Sequence, residues 1–385
     1  MELKISQDNR DRLYFLDWTR IFAFGLLILF HCALPFADIP WEIRNEERSL
    51  WLTRVIYWLH QWRLPLLFFI AGVGTHFSIT KRKGFRFLGE RFVRLFIPLV
   101  FAMLFTIPFQ VYFEYMQKGK IDMSYAEFYP GVWDFIPYPD GALSWSHLWF
   151  VVYLFVYTIL LFPVFMVMET KLVQGWKLKL DKFFKSPLVP FAFVGVLIYY
   201  YFSLYIDWPE QMGLLDDWFL FLFSMTLFFF GFFLSNLPSF WDTCEKYRWY
   251  FLGLAVTSMI ILFVRYWWPL TFPEKQDEFL YTYGILNSIH IWMIILSALG
   301  FAKKNLNYSN SFLQYFSPAV YPFYILHQTI IVSSGYFVVQ WPLPMVIKFL
   351  ILVVICFGGV LGLYHFVIRN FILTRILYGL KPRNS

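Results

Sequence analysis

Residues 13–36 read LYFLDWTRIFAFGLLILFHCALPF. As a helix the run can cross a hydrocarbon core of ~30 Å, yet it contains Asp17, Arg20 and His31. An ionisable side chain at a helix centre costs roughly 2.5–3.5 kcal/mol on the insertion scale, so it turns toward a cavity or a partner. Arg20 and His31 are eleven residues apart. At about 100° per residue that is three turns plus roughly 20°, so both lie on one helix face, about 16 Å apart along the axis. Asp17 falls on the same side, three residues before Arg20. One face thus carries a carboxylate and a guanidinium near one end and an imidazole deep in the membrane. A polar cavity running inward from the cytoplasm would use such a face.

The rest of the chain has the same character. Of 385 residues, 59% are hydrophobic and 15% charged, with 49 Phe, 25 Tyr and 17 Trp, and the mean hydropathy is +0.56. A soluble domain is about a quarter charged; aromatic residues in this number suit lipid contact and interfacial belts. The expected fold is all-α, a polytopic integral membrane bundle of about ten transmembrane helices. The candidate spans are 13–36, 52–78, 93–116, 147–168, 189–206, 217–238, 249–267, 279–301, 314–338 and 344–368. The second contains Pro65, Gly72 and Gly74 and reads as an interfacial helix joined to a tilted or broken span.

Loop charge orients the stack. KRKGFRFLGERFVR (81–94), KLVQGWKLKLDKFFK (171–185), CEKYR (244–248), FAKKN (301–305) and RNFILTRILYGLKPR (369–383) alternate with DWPEQMGLLDDW (207–218) and FPEKQDEF (272–279). The positive-inside rule places the basic set and both termini in the cytoplasm. The net charge of +7 reads as this asymmetry and as contact with anionic lipid, not nucleic-acid binding. The expected division is a cytoplasmic N-terminal segment (1–12), a transmembrane domain (13–370) and a basic cytoplasmic tail (371–385). Because the first apolar run carries Asp17 and Arg20 and no small-residue cleavage site follows it, it does not read as a cleaved signal peptide. Cys32, Cys244 and Cys356 have no metal or disulfide spacing, and there is no His-Glu-x-x-His, so neither a metal nor a disulfide framework is expected. No internal repeat, glycine-rich phosphate loop or G-x-S-x-G elbow occurs.

Further polar groups mark the spans. His60 and Arg63, in WLHQWRLPLLFF, share a helix face and suit either an interfacial pair or the guard of an external substrate entrance. Arg91 and Arg94 stand one turn apart before the third span; two such guanidiniums anchor a helix to the cytoplasmic surface or clamp a phosphorylated ligand. His147 opens the fourth span among Ser144, Trp145 and Trp149. His327 lies in SPAVYPFYILHQTII, where Pro318 and Pro322 free backbone carbonyls and Tyr324 and Gln328 add hydrogen-bonding groups, a pattern tolerated where a helix is buried or lines a cavity. His76 reads as interfacial, and His290 and His365 as structural.

In this order and on these spans, Arg20 with His31, the Arg91–Arg94 step, SHLWFVVYL around His147 and FYILHQT around His327 resemble the signatures of the membrane-bound acyltransferase family 3. The stretch SLWLTRVIYWLHQWRLPLLFFIAG (49–72) is similar to the glucan biosynthesis branch of that family, a membrane succinyltransferase group. The resemblance implies no bound cofactor but an acyl-coenzyme A co-substrate in the cytoplasm. It implies an acceptor hydroxyl on an extracytoplasmic or envelope glycan, and a multi-pass location in the inner (plasma) membrane. Arg91 or Arg94 would hold the donor's phosphates. His31 would act as general base, a role suited to imidazole at pH 7, with Asp17 pairing Arg20. His60, Arg63, His147, Tyr324 and His327 would line the acceptor cavity. Acetyl and succinyl transfer both fit; a succinyl carboxylate would need a cation, for which Arg63 is a candidate, and Arg63 equally suits a glycan contact. A transporter of a lipid-linked glycan or organic anion also fits buried charges and a Pro-interrupted span, and a scaffold or sensor without chemistry is the remaining alternative.

Overall fold

The computed structural model describes residues 12–82, 84–272 and 278–381. Most of FPEKQDEF, the start of the N-terminal segment and the end of the basic tail lie outside them. The described residues are helical, with no strand beyond two isolated bridges, Ala37 to Ser49 and Pro137 to Leu143.

Helix α1 is Tyr14–Ala33 and α2 is Leu50–Lys81, started by Ser49, whose side chain accepts from the Leu52 amide. Helix α3, Phe85–Gln117, widens into π turns at Phe92–Phe96 and Ala102–Thr106. Pro98 and Pro108 follow these turns and have no N–H to bond the carbonyl four residues back, so the ladder adjusts there. Helix α4 (Ser146–Leu160) bends by 55° into α5 (Phe162–Met168). Then come α6 (Lys171–Asp181) and α7 (Phe191–Ser203). Helix α8 (Trp218–Leu234) turns through 107° into α9 (Pro238–Lys246). Helices α10 (Arg248–Trp267), α11 (Glu278–Asn305), α12 (Ser311–Val338), α13 (Met345–Ile368) and α14 (Ile372–Leu377) complete the chain.

By length and apolarity six of these helices can cross a membrane, or up to eight when each bent pair is one span. Two of the ten expected spans fall short for different reasons. Helix α7 has 13 residues. Helix α12 has 28, about 42 Å of rise, but Gln314, Ser317, His327 and Gln328 make it too polar for a lipid-facing helix. It is accordingly packed against α1, α3 and α13, with Tyr324, His327 and Gln328 buried. The outer helices show the reverse pattern: Val264 on α10 and Val354 and Phe366 on α13 are exposed apolar side chains, as a lipid-facing surface requires.

The closest helix crossing joins α2 to α8 through two reciprocal glycines. A Cβ on Gly72 would stand 1.9 Å from the Phe228 carbonyl oxygen, and one on Gly231 would stand 1.9 Å from that of Phe69. Small residues let membrane helices approach to this degree, and dispersion then supplies the attraction that the hydrophobic effect cannot supply in lipid. Aromatic rings fill the flanks, with Phe165 stacked on Phe232 at 3.9 Å and Trp292 edge-on to Phe69 at 5.8 Å.

Charge is segregated between the two ends. At one end Arg82 pairs with Glu90, the buried His76 with Glu169 at 2.9 Å, and Lys303 with Glu245 at 3.3 Å. At the other, His60 meets Glu210 at 3.0 Å, the Arg44 amide donates to Gln117 at 2.7 Å and Lys348 donates to Asn45 at 2.9 Å. The loops 37–49, 118–145 and 204–217 close over this second end.

Gly72→Ala and Gly231→Ala are each expected to destabilise the bundle by about 1–3 kcal/mol, the usual cost of overpacking. Together they should cost less than the sum, because both open one crossing. Gly25→Ala, where a Cβ meets nothing within 4 Å, is the control. Fluorescence-detected thermal unfolding in detergent measures all four proteins.

Candidate active site

Three imidazoles converge where α1, α4 and α12 meet. His327 Nε2 lies 3.2 Å from His31 Nδ1, and the rings of His147 and His327 are 5.1 Å apart. Backbone carbonyls orient all three. His31 Nδ1 donates to the Leu27 carbonyl at 2.9 Å, His327 Nδ1 to that of Tyr324 at 2.6 Å, and His147 Nε2 to the same Tyr324 oxygen at 3.1 Å. A carbonyl only accepts, so each contact places the ring proton on the nitrogen that faces it. His31 is thereby left with its lone pair on Nε2. The Tyr324 hydroxyl returns to the His147 carbonyl, which clamps α4 to α12 at this level.

His31 and His147 line a cavity of about 1030 Å³ whose wall extends to residues of the loops at the second end, among them Trp41, Tyr138 and Met212. Its wall carries a connected polar network. Gln110 donates to Thr329 at 2.6 Å and accepts from Ser146 at 3.0 Å; Gln328 donates to Glu42 at 2.7 Å. Glu114, buried on α3, pairs with Lys118 and accepts from Tyr138 at 2.8 Å. Trp41, Tyr57, Trp145 and Tyr138 contribute aromatic surface toward the mouth. One oxygen of Glu42 is buried without a hydrogen-bond partner. Burial, reinforced by the neighbouring Glu114 carboxylate and opposed by hydrogen bonds from its own backbone and from Gln328, pushes the Glu42 carboxyl up to about 7.

A second polar cluster sits at the basic end. Arg20 Nη2 donates to the Ser317 hydroxyl at 2.8 Å and pairs with Asp17 at 3.1 Å, while Asp17 also receives Arg12 at 2.7 Å. Arg94 lies within electrostatic reach of both Arg20 and Arg91. It reaches toward the Gly379 carbonyl at 3.4 Å and Glu90 at 3.6 Å, and Arg91 contacts the Thr75 hydroxyl at 3.3 Å. The Nε atoms of Arg20 and Arg91 and the hydroxyl of Tyr321 are buried with no acceptor or donor opposite them.

The expected residues thus form two groups. His31, Arg63, His147 and Tyr324 line the cavity together, with His327 directly behind His31 and His60 at the mouth. Asp17, Arg20, Arg91 and Arg94 gather at the opposite end and do not line it. Arg20 and His31 do share one face, since both contact α12, but they belong to different clusters. The cavity lining runs from His31 to residues of the loops after α1 and before α4 and includes none of the residues at the basic end. His60 and Arg63 separate in role: His60 is tied to Glu210, and Arg63 is buried over the Phe30 ring. His290 donates to the Ala255 carbonyl and His365 meets Tyr315, both remote from the cavity. Among the described residues no three His, Cys, Asp or Glu side chains are grouped as metal ligands. Sequence reasoning missed Gln110, Ser146, Glu42 and Glu114. Gln110, an amide within the third apolar run, carried the same signal as His31; Glu42 lay in a charged loop and carried none.

The sequence matches an acyltransferase domain family over residues 13–367. The chain is also similar to glucans biosynthesis protein C of Escherichia coli K12, with 25% identity over 380 residues, 96% of this chain and 95% of the relative. The same protein of Escherichia coli O139:H28 matches to the same extent. That of Escherichia coli O1:K1 is 26% identical over 388 residues, again 96% and 95% of the two chains. No solved structure matches.

Glu42 makes stability depend on pH with a definite sign. Its carboxyl is raised from 4.5 to about 7 in the folded protein, so the folded state holds the proton more tightly than the unfolded chain. Its effect is absent below the lower value; stability is lost as pH rises between the two values, and the loss levels off above the upper one. Glu42→Gln keeps a hydrogen-bonding group opposite Gln328 and removes the charge. Its melting temperature should match wild type near pH 4, exceed it increasingly up to about pH 7 and hold that advantage to pH 8, in paired thermal melts across that range.

Proposed function

Since the chain belongs to the acyltransferase 3 family and is an acyltransferase built into a bundle of apolar helices, we propose that it moves an acetyl or succinyl group from a cytoplasmic acyl-coenzyme A to a hydroxyl of an extracytoplasmic or envelope glycan. The observation that carries this reading is His31, at the end of a cavity of about 1030 Å³, with Nδ1 committed to the Leu27 carbonyl and Nε2 available. An imidazole so oriented takes the proton of an attacking hydroxyl and returns it to the leaving thiolate. His327 and His147 act as positioning residues for that ring. Indole and phenol faces beside Glu42, Gln110 and Gln328 suit a sugar, which presents apolar C–H faces and hydroxyls in alternation.

The donor enters from the other end. Arg91, Arg94 and Arg20 offer guanidinium donors where the phosphates of coenzyme A would arrive, and the eleven residues of α1 from Arg20 to His31 set a span of about 16 Å for its thiol arm to cover. This arrangement goes with ten spans, both termini in the cytoplasm, and an inner-membrane location. The transporter reading draws on one observation, that the cavity lining includes none of Asp17, Arg20, Arg91 and Arg94. Consumption of acyl-coenzyme A by purified protein separates the two, because a transporter leaves the thioester intact.

Three measurements follow. His31→Gln should fold and lose acyl transfer by about 10²–10⁴-fold, since an amide cannot take a proton at neutral pH; wild-type thiol release would make His31 structural. Arg91→Ala and Arg94→Ala should raise the donor KM, each by the about 1.5–3 kcal/mol of a charge-assisted bond, with lysine recovering charge but not the planar fork. Reporter fusions at Asp207 and Lys304 should read outside and inside respectively; an inside Asp207 overturns the orientation.

A further inference from the structure

Arg63 is a charged group in the cavity wall to which the proposed reaction has so far given no catalytic part. It projects from α2 and is 3% exposed. Its guanidinium carbon stands 3.3 Å above the Phe30 ring, and that ring is 5.2 Å from the His31 ring, edge to face. Among the described residues no carboxylate pairs with it, and its Nε and Nη1 are buried without an acceptor. Two other cations near the polar clusters do have carboxylates: Lys118 has Glu114 and Arg20 has Asp17. A charge buried without a partner costs several kcal/mol, and the Phe30 face offsets part of that. The remainder is recovered when negative charge arrives at the site.

That charge has a defined place in the proposed reaction. The donor's phosphates are accounted for at the opposite end, by Arg91 and Arg94. The reacting carbonyl must lie beside the hydroxyl that His31 deprotonates, and Arg63 is within electrostatic reach of His31, His327 and Tyr324. The geometry points to Arg63 as a catalytic residue whose guanidinium stabilises the oxyanion formed beside His31, an assignment that rests on the acyltransferase reading given above. The acceptor oxygen forms its bond to the thioester carbon as its proton passes to His31 Nε2. The carbonyl π pair moves onto the carbonyl oxygen, opposite Arg63. That pair then re-forms the double bond, the carbon–sulfur bond breaks, and the coenzyme A thiolate takes the proton back from His31. A fixed, buried cation is effective here because it need not reorganise as the charge develops.

The test uses the full-length protein purified in lipid nanodiscs, with acetyl-coenzyme A and succinyl-coenzyme A as separate donors and a glucan oligosaccharide as acceptor. Arg63→Met keeps the apolar packing on Phe30 and removes the charge. It should lower kcat by about 10²–10³-fold with either donor, the usual effect of removing one oxyanion donor. The KM values should change little, and the melting temperature should hold or rise because an uncompensated cation is gone. Arg63→Lys should fall between, and added guanidinium should restore part of the activity of Arg63→Ala. Retained kcat in Arg63→Met overturns the assignment. So does a defect confined to succinyl-coenzyme A, which would make Arg63 the partner of an acyl carboxylate. An activity loss that tracks a drop in melting temperature and resists guanidinium makes Arg63 a packing residue. An inactive wild type with both donors overturns the functional reading and this role together, whereas an active wild type beside an unaffected Arg63→Met removes this role alone.

Discussion

Helix α12 cannot face lipid. Ser317, Tyr321, Tyr324 and Gln328 recur at helical spacing, with His327 on the flank, and each polar group exposed to hydrocarbon would cost several kcal/mol. The bundle answers by burying the stripe and bonding most of its polar groups from several sides, leaving the Tyr321 hydroxyl unpaired. Helix α1 brings Asp17 and Arg20 to Ser317 and His31 to His327; α4 brings His147 to the Tyr324 carbonyl; α3 brings Gln110 to Thr329; and the loop after α1 brings Glu42 to Gln328. Both polar clusters are therefore consequences of burying one helix. Pro318 and Pro322 are affordable in it for the same reason, since helices on all sides supply what the backbone lacks.

The opposite half of the bundle is held by shape. The α2–α8 crossing, with Gly72 and Gly231 each against the other helix's carbonyl, leaves no room for adjustment, and ring packing around Phe69, Phe228 and Trp292 fixes the rotation of α2. That rotation sends Arg63 into the cavity wall and His60 to the mouth. A close-packed frame on one side and a largely hydrogen-bonded polar helix on the other is what a site needs if its side chains are to keep their geometry without a ligand.

The two clusters also define a direction. Guanidiniums gather at the end bearing the basic loops, and imidazoles, amides and aromatic rings line a cavity that reaches the loops of the other. An enzyme that takes an activated acyl group from one compartment and an acceptor hydroxyl from the other must keep water from running between them. Leu27, Phe24 and Tyr324 stand between the clusters, with the last two in edge-to-face contact at 5.4 Å. These buried apolar groups separate the two clusters.

Much of this was readable one residue at a time. The cost of Asp17, Arg20 and His31 in an apolar run is a local quantity, and helical period alone put Arg20 and His31 on the face that meets α12. The prolines of α12 and the charge of the loops are equally local signals, which is why the membrane bundle and the polar helix could be inferred from the chain. Pairing across the sequence is not a local quantity. That His31 meets His327, 296 positions away, that Glu42 is drawn out of a charged loop onto Gln328, and that Arg63 is left without a carboxylate all depend on which helices become neighbours and at what rotation. Packing decides that, through glycine crossings and ring contacts that carry no period in the sequence. The expected single cavity became two clusters for the same reason: one helix face spans both ends of the bundle, but the side chains packed against each end close it separately.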